Sequence, residues 1–526
     1  MSDLVGALDA QVVEVQVRYH ADASRLFEIL GGTAATDVVL LESADITTRS
    51  GLHSLAVLES SVRVTCDDDA VTVEPLTVSG DAIAQRLRQQ LGGFEGEEGT
   101  FVFPRSTAAD ERERLLAPSN VAPLRALAFD AGYEDPQGDL PMVAGGFAFD
   151  FLATFEDLPP VGAGPNTYPD YQFVAAEIVL LIDHESQTAK LKGVDIAGGD
   201  VKSRMRELAT LIDEARTEHA PSARGVSSSS NVLVAHADLD DEAYRADVSK
   251  LMDDIYNGDI YQVVPARAFS CECPDAFAAY KALRDSNPSP YMFYVRGLDV
   301  DGTPYELFGA SPESSLKFEA ATREVQLYPI AGTRPRGLNA DGSINHELDT
   351  RMELQLRTDS KEVAEHTMLV DLARNDMARV AVPGTRRVRD LLQVDRYSRV
   401  MHLVSRVTAT LDEELDALDA YRACMNMGTL TGAPKLRATE LLREREGARR
   451  GSYGGAVGYL KGNGDMDTCI VIRSAYVSGG TACVQAGAGV VRDSNPQSEA
   501  DETLHKAYAV LSAIAHAAGA RLEVDA

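Results

Sequence analysis

At 526 residues, with 44% hydrophobic and 25% charged side chains, the chain has the composition of a folded protein of about two to four domains. Its formal net charge of −31 argues against partners held by phosphate-backbone or anionic-membrane electrostatics, so an anionic ligand requires a local cluster of basic groups. No apolar run approaches the roughly 18 residues of a spanning helix, and the N-terminal "MSDLVGALDAQVVEV" has no basic region before an apolar core; a cytoplasmic location is expected, with neither membrane nor nucleic acid as partner.

In chain order, "TDVVLLESAD" and "YQFVAAEIVLLID" read as strands, and residues 201–215 have helical spacing. The low-complexity "RGVSSSSN", residues 224–231, reads as a linker. It divides the chain into an N-terminal part, 1–230, and a longer part, 231–526. Beyond it, Asp240 is placed to cap a helix whose apolar positions are Tyr244, Val248, Leu251 and Ile255, with Gly258 ending it. "IYQVVPA", the alternation after Val400, "AVGYLKG", "TCIVIRSAYV" and "ACVQAGAGVV" read as strands. Helices are expected over 360–373, 415–425, 434–446 and 496–516. The fold class that follows is an α/β (α+β) layered sandwich, largely antiparallel, with helices packed on the sheets.

The six cysteines are scattered without zinc-site spacing, and reduced thiols are expected. In "SKEVAEHTMLVDLA" the apolar Val363, Met368, Leu369, Val370 and Leu372 spread around the whole circumference, which predicts a buried helix. Glu362, Glu365 and His366 share one side of it, and buried carboxylates need either an ion-pair partner such as arginine or a metal. Glu499, Glu502 and Lys506 lie along one side of the last helix, by pattern a solvated face. The preceding "QAGAGVVRDSNPQSE" changes that reading, because Gly487 and Gly489 let backbone amides approach an anion. Two carboxylates from separate helices suit Mg²⁺. "GTLTGAPK" and "GAGVVR" fail the spacing of the phosphate-loop and dinucleotide fingerprints. His402 sits in a strand, and Arg473 in the otherwise apolar "IVIRSAY" asks for a buried anion. With Tyr453 and Thr429, these groups describe a pocket for a small, multiply anionic ligand bound with a divalent metal.

"PIAGTRPRG", "AEHTMLVDLARND", "MHLVSRV", "GTLTGAPK", "GGAVGYL", "IVIRSA" and "QAGAGVVRDSNPQSEADET" closely resemble the chorismate-utilising enzymes over nearly all of residues 240–516. The resemblance implies a Mg²⁺-dependent chorismate-binding sandwich with Glu365 and Glu502 as metal ligands. It also implies that Gly332, Thr333, Tyr453, Arg473, Gly487, Ala488, Gly489 and Lys506 bind substrate. Members that add water resemble one another in a lysine where this chain has Gln262; ammonia needs no such base. Aminodeoxychorismate synthases show "PIKGT", where this chain has Ala331. Both departures point to direct attack by ammonia, as in anthranilate synthase component I: amination at ring C2, loss of the C4 hydroxyl, then elimination of pyruvate. His402 is the expected proton carrier to the leaving hydroxyl, with Glu313, Glu362 and Thr429 as further acid/base or positioning groups.

"LLESAD" and "NPSPYMFY" resemble the tryptophan-binding elements of that enzyme, implying feedback inhibition through Ser43, Pro290, Tyr291 and Met292. The chain contains no tryptophan, which would suit an enzyme made when tryptophan is scarce. No glutaminase module is visible, so a separate glutamine amidotransferase subunit is the expected partner, in a hetero-oligomer. Three other readings compete: an enzyme stopping at 2-amino-2-deoxyisochorismate, an aminodeoxychorismate synthase, and a regulatory module that binds without turnover.

Overall fold

The computed structural model describes residues 6–43, 52–97, 99–216, 231–339, 341–397 and 400–526. The linker reading therefore lies outside the described residues except at Asn231, as do Ala44 and Asp45 of "LLESAD".

Two antiparallel sheets share a pair of long strands, His53–Asp67 and Tyr171–Asp183. Three register shifts between Val57 and Val62 bend this pair, so that each strand serves one sheet with one end and the second sheet with the other. From one end, pairing runs through Val38–Glu42, Tyr291–Leu298, Pro304–Ser311, Ser474–Ser478, Thr481–Gly487 and Ala266–Glu272 to Val232–Ala237. From the other it runs through Met142–Phe147, Ala456–Lys461, Met466–Ile470, Ser314–Glu319 and Glu324–Leu327 to Val400–Thr410, which also pairs with Ile330–Pro335 and Arg387–Arg396. Among the described residues every ladder is antiparallel except Arg521–Asp525 with Val232–Ala237.

Strands from either side of residue 230 pair directly, Val38–Glu42 with Tyr291–Leu298 and Met142–Phe147 with Ala456–Lys461. The largest apolar core likewise mixes the two parts, joining Val57, Val143 and Phe147 to Leu316, Tyr421 and Val457. Phe147 stacks on Tyr421 with ring centroids 4.3 Å apart. A second core lies under helices Ala276–Ser286 and Pro496–Ala517, which cover the outer face of the first sheet.

Local chemistry sets the helix ends. The Asp240 carboxylate accepts from the Ala243 amide at 2.8 Å, and Gly258, with φ +87°, ends that helix. Asn495 caps Pro496–Ala517 at the first-turn amides, with proline where no amide partner is needed. Two expectations are corrected. The helix predicted over 360–373 runs Ser360–Ala378 and is not buried all round: Ala364, Thr367, Asp371 and Arg374 face solvent, while Leu369, Val370, Ala373 and Met377 form its buried side. "TCIVIRSAYV" is not one strand but two, Met466–Ile470 and Ser474–Ser478, which belong to different sheets.

Candidate functional site

The chain crosses from one sheet to the other at two adjacent corners. Pro304–Ser311 leaves the first sheet and Ser314–Glu319 enters the second, with Glu313 in the step between. The neighbouring strand crosses in the opposite sense through residues 471–473, and Arg473 makes the turn with φ +49°. The corners are bonded together: the Ile470 amide donates to the Glu313 carbonyl at 3.0 Å, and the Ala310 amide to the Arg473 carbonyl at 3.1 Å. A carboxyl and a guanidinium are thus fixed by backbone on the wall of one cavity of about 470 Å³.

Glu313 is 6% exposed, and burial pushes its carboxyl up to about 8, against the opposing effect of the Thr429 hydroxyl that donates to it at 3.1 Å. It therefore carries its proton at neutral pH. His402 faces the Ile330–Pro335 strand across a register shift at Gly332, whose φ is +76°. Its Nδ1 lies 3.0 Å from the Thr333 hydroxyl and 3.3 Å from the Gly332 carbonyl. A carbonyl can only accept, so Nδ1 holds the proton and Nε2 keeps its lone pair. Burial lowers this imidazole to about 4, and the Arg473 charge acts in the same direction.

Arg473 has no carboxylate bonded to it among the described residues, and desolvation lowers its guanidinium. Tyr453 is buried, its phenol pushed up to about 12 by burial, with the Gly487 amide facing its oxygen. Gly487 and Gly489 line the cavity. Ala488 is buried between them, and its amide donates to the Pro265 carbonyl at 3.2 Å. Lys506 reaches the cavity, but its ammonium is bonded to the Gly487 carbonyl and to Glu502, each at 2.8 Å.

Glu362, Glu365, Glu499 and Glu502 converge on the same cavity. Glu362 takes the ion-pair alternative, bonded at 2.7 Å to Arg334 of "PIAGTRPRG". Glu365 does not. One of its oxygens, Oε1, is buried without a hydrogen-bond partner, with Lys361 at 3.7 Å. Burial raises its carboxyl, Lys361 opposes this, and Glu362, Glu499 and Glu502 raise it further by repulsion. His366 turns away from the cavity, its Nε2 lying 2.6 Å from the Ser405 hydroxyl. Among the described residues no three His, Cys, Asp or Glu side chains form a ready metal cluster. An unpartnered carboxylate oxygen surrounded by other carboxylates nevertheless fits Mg²⁺, which needs only one or two protein carboxylates when ligand oxygens and water complete its shell.

Gln262 also lines the cavity with a buried Oε1 that lacks a partner. Lys361, Gln485 and His505 also line it and are not singled out by the sequence, which places Glu499 on the same helix side as Glu502 without giving it a role. The available signal for Glu499 was its position three residues before Glu502 on one helix side. A second cavity, about 650 Å³, brings together Ser43, Pro290, Tyr291 and Met292. The Ser43 hydroxyl there is buried without a partner, and the Tyr291 hydroxyl donates to Asp467 at 3.2 Å. Tyr291 pairs across the ladder with Ser311, whose hydroxyl bonds the Glu313 backbone at 3.2 and 3.3 Å.

The family model described as chorismate binding enzyme matches residues 93–512. Anthranilate synthase component 1 of Vibrio cholerae is 48% identical over 521 residues, covering 96% of this chain and 97% of that protein. The Escherichia coli protein of the same name is 48% identical over 507 residues, covering 95% and 96%. The crystal structure of anthranilate synthase component I from Streptococcus pneumoniae superposes with a TM-score of 0.64 at 28% identity, covering 88% of this chain and 92% of that one. Full-length similarity of this order, together with a cavity that gathers the chorismate-family motifs, leads to one conclusion: the chain belongs to the chorismate-binding enzymes, alongside the component 1 proteins of anthranilate synthase.

Proposed function

We propose that the protein is the aminase component of an anthranilate synthase, converting chorismate and ammonia to anthranilate and pyruvate in tryptophan biosynthesis. The observation that carries this reading is one cavity holding a proton-bearing carboxyl, Glu313, an unpaired guanidinium, Arg473, and an unpartnered carboxylate oxygen on Glu365. Chorismate is a dicarboxylate. Arg473, Tyr453 and the backbone at Gly487 and Gly489 suit one of its carboxylates. Glu365 and Glu502 would hold Mg²⁺, which when bound supplies the positive charge that lets the other carboxylate sit among acidic side chains. For Glu502 this requires Lys506 to release it.

The orphaned Gln262 Oε1 is placed to accept a hydrogen bond from ammonia, which then attacks ring C2 with its own lone pair. The C4–O bond breaks as both ring double bonds shift, C1=C2 to C1=C6 and C5=C6 to C4=C5, and Glu313, already protonated, gives its proton to the departing hydroxyl, which leaves as water. This moves the donor role from His402, whose low value leaves it without a proton to give, to Glu313. His402 Nε2 is instead fitted to accept the C2 proton while the enolpyruvyl C–O bond breaks and the ring aromatises. A bound dianion raises the basicity of that imidazole. Thr429 holds Glu313, Thr333 and Gly332 hold His402, and Glu362 with Arg334 fixes the turn between them.

The second cavity suits L-tryptophan as an inhibitor, through Ser43, Pro290, Tyr291 and Met292. We assign residues 1–230 a regulatory role and 231–526 the catalytic one, with a glutamine amidotransferase subunit supplying ammonia in a cytoplasmic hetero-oligomer. The test is anthranilate fluorescence and pyruvate release from the purified chain given chorismate, Mg²⁺ and ammonium at mildly alkaline pH, with and without L-tryptophan. Equal amounts of both products, suppressed by L-tryptophan, are expected. Chorismate consumed with no pyruvate would overturn the elimination step.

A further inference from the structure

A third cavity, of about 260 Å³, shares no lining residue with the other two. It lies between the segment 103–120, residues 154–156, Arg379 at the C-terminal end of helix Ser360–Ala378, and Arg422 on helix Ala417–Cys424. In a chain of net charge −31 it is lined by five arginines and three carboxylates, with Arg105 paired to Asp68 and Arg112 to Asp412 and Glu414 outside the lining.

Buried polar atoms without partners are rare in folded proteins, and three of them belong to residues lining this one cavity: Arg422 Nε, Arg379 Nε and Ser119 Oγ. Arg422 is the most telling. It is 5% exposed, lies 4.9 Å over the Phe155 ring, and uses only Nη1, which donates to the Leu115 carbonyl at 3.2 Å. The Nε/Nη2 edge, the one that grips an oxyanion in a fork, carries no hydrogen bond among the described residues, with Nε itself buried. No carboxylate bonds to Arg422 among the described residues; Asp419 is committed to Arg125 and to its helix cap, and Arg379 holds Glu111 and, at 3.7 Å, Glu156. Burial lowers Arg422 to about 10, against the attraction of Asp419 and Glu156, yet a guanidinium does not shed its charge at physiological pH, so a buried cation is left with no carboxylate bonded directly to it among the described residues.

We propose that this cavity binds a small tetrahedral oxyanion, a phosphate or the phosphate group of a small metabolite, held by the guanidinium groups of Arg422 and Arg379 and the Ser119 hydroxyl. A flat carboxylate is satisfied by one guanidinium fork; donors arriving from two helices and a loop suit an anion with oxygens in several directions.

The test is calorimetric titration of the full chain with inorganic phosphate, and separately with glycerol phosphate, at constant ionic strength without Mg²⁺. Saturable binding is expected in the wild type, about tenfold weaker in Arg422→Gln, the loss of one charge-assisted hydrogen bond, and a few-fold weaker in Ser119→Ala, which leaves the charges and the fold in place. Arg473→Gln, which removes the anion-seeking arginine of the chorismate cavity, should bind phosphate as the wild type does. Tighter binding of glycerol phosphate would support the site and assign it to a phosphate ester. Binding lost in Arg473→Gln but kept in Arg422→Gln, acetate binding as tightly as phosphate, or no saturation in the wild type would each overturn the proposal.

Discussion

Glu313 keeps its proton at neutral pH because burial in the corner between two sheets outweighs the Thr429 hydroxyl and the Ile330 backbone that bond it. Two outcomes follow from that single carboxyl. Its folded value of about 8 lies above the ordinary 4.5, so the folded state binds a proton more tightly than the unfolded chain. The stability it contributes is complete below the ordinary value and is lost as pH rises through about 8. Melting temperatures of the free protein should fall over that window, and Glu313→Gln should flatten the fall. In catalysis the same variant cannot release a proton: turnover should drop by on the order of 10² to 10⁴, with chorismate affinity nearly unchanged. Wild-type turnover in Glu313→Gln would remove it from the mechanism. Arg473 illustrates the opposite balance. A non-glycine residue in the left-handed region costs roughly 1 kcal/mol, and its charge is unpaired. Arg473→Gly should therefore raise the melting temperature while chorismate binding is lost.

At the scale of elements, the site depends on short pieces that pin backbone to backbone. Gln262–Val263 pairs with Gly432–Ala433, and a Cβ on Gly432 would stand 2.1 Å from the Gln262 carbonyl at a φ of +141°. Gly432→Ala should cost about 1–3 kcal/mol by overpacking and should lower the rate with ammonia, because it displaces Gln262; a thermal melt beside an ammonium titration checks both. Elements of this kind mark what the sequence discloses. The helix starts at Asp240 and Asn495 were readable because caps are local chemistry, and Arg473 stood out in an apolar run. That the run breaks at Arg473 into strands of different sheets was not readable, since a left-handed arginine leaves no mark in composition. The engaged amide of Ala488 and the Arg334 partner of Glu362 were hidden for the same reason: their partners are set by tertiary packing. The spread of apolar residues over 360–373 suggested burial all round, but Met368 and Leu372 are only half-buried and a polar side faces solvent.

At the scale of the molecule, the ladder of Tyr291–Leu298 with Pro304–Ser311 puts the two larger cavities side by side. Tyr291 belongs to one, Glu313 to the other, and Ser311 stands between them. If L-tryptophan weakens chorismate binding by some factor, chorismate must weaken L-tryptophan binding by the same factor. Calorimetric titration of L-tryptophan with and without chorismate, without Mg²⁺, should show equal factors, and Ser311→Ala should shrink them while L-tryptophan still binds. None of this seam was legible in sequence: Tyr291 and Ser311 belong to consecutive strands, but the register that sets them opposite each other and the two cavities on either side follow from tertiary packing. The free state of the six cysteines, by contrast, was legible from their scattered spacing.

The guanidinium of Arg473, with no carboxylate bonded to it among the described residues, and the Glu365 oxygen without a hydrogen bond make this cavity costly to keep folded. Filling it should therefore lengthen the life of the protein as well as start the reaction. A ligand present at about 100 times its dissociation constant adds roughly 2.7 kcal/mol to stability. Limited proteolysis should be slowed accordingly by chorismate with Mg²⁺, and by neither alone to the same extent. In a cell short of chorismate the chain would open more often and meet proteases more often, so its abundance would follow the supply of the compound it consumes.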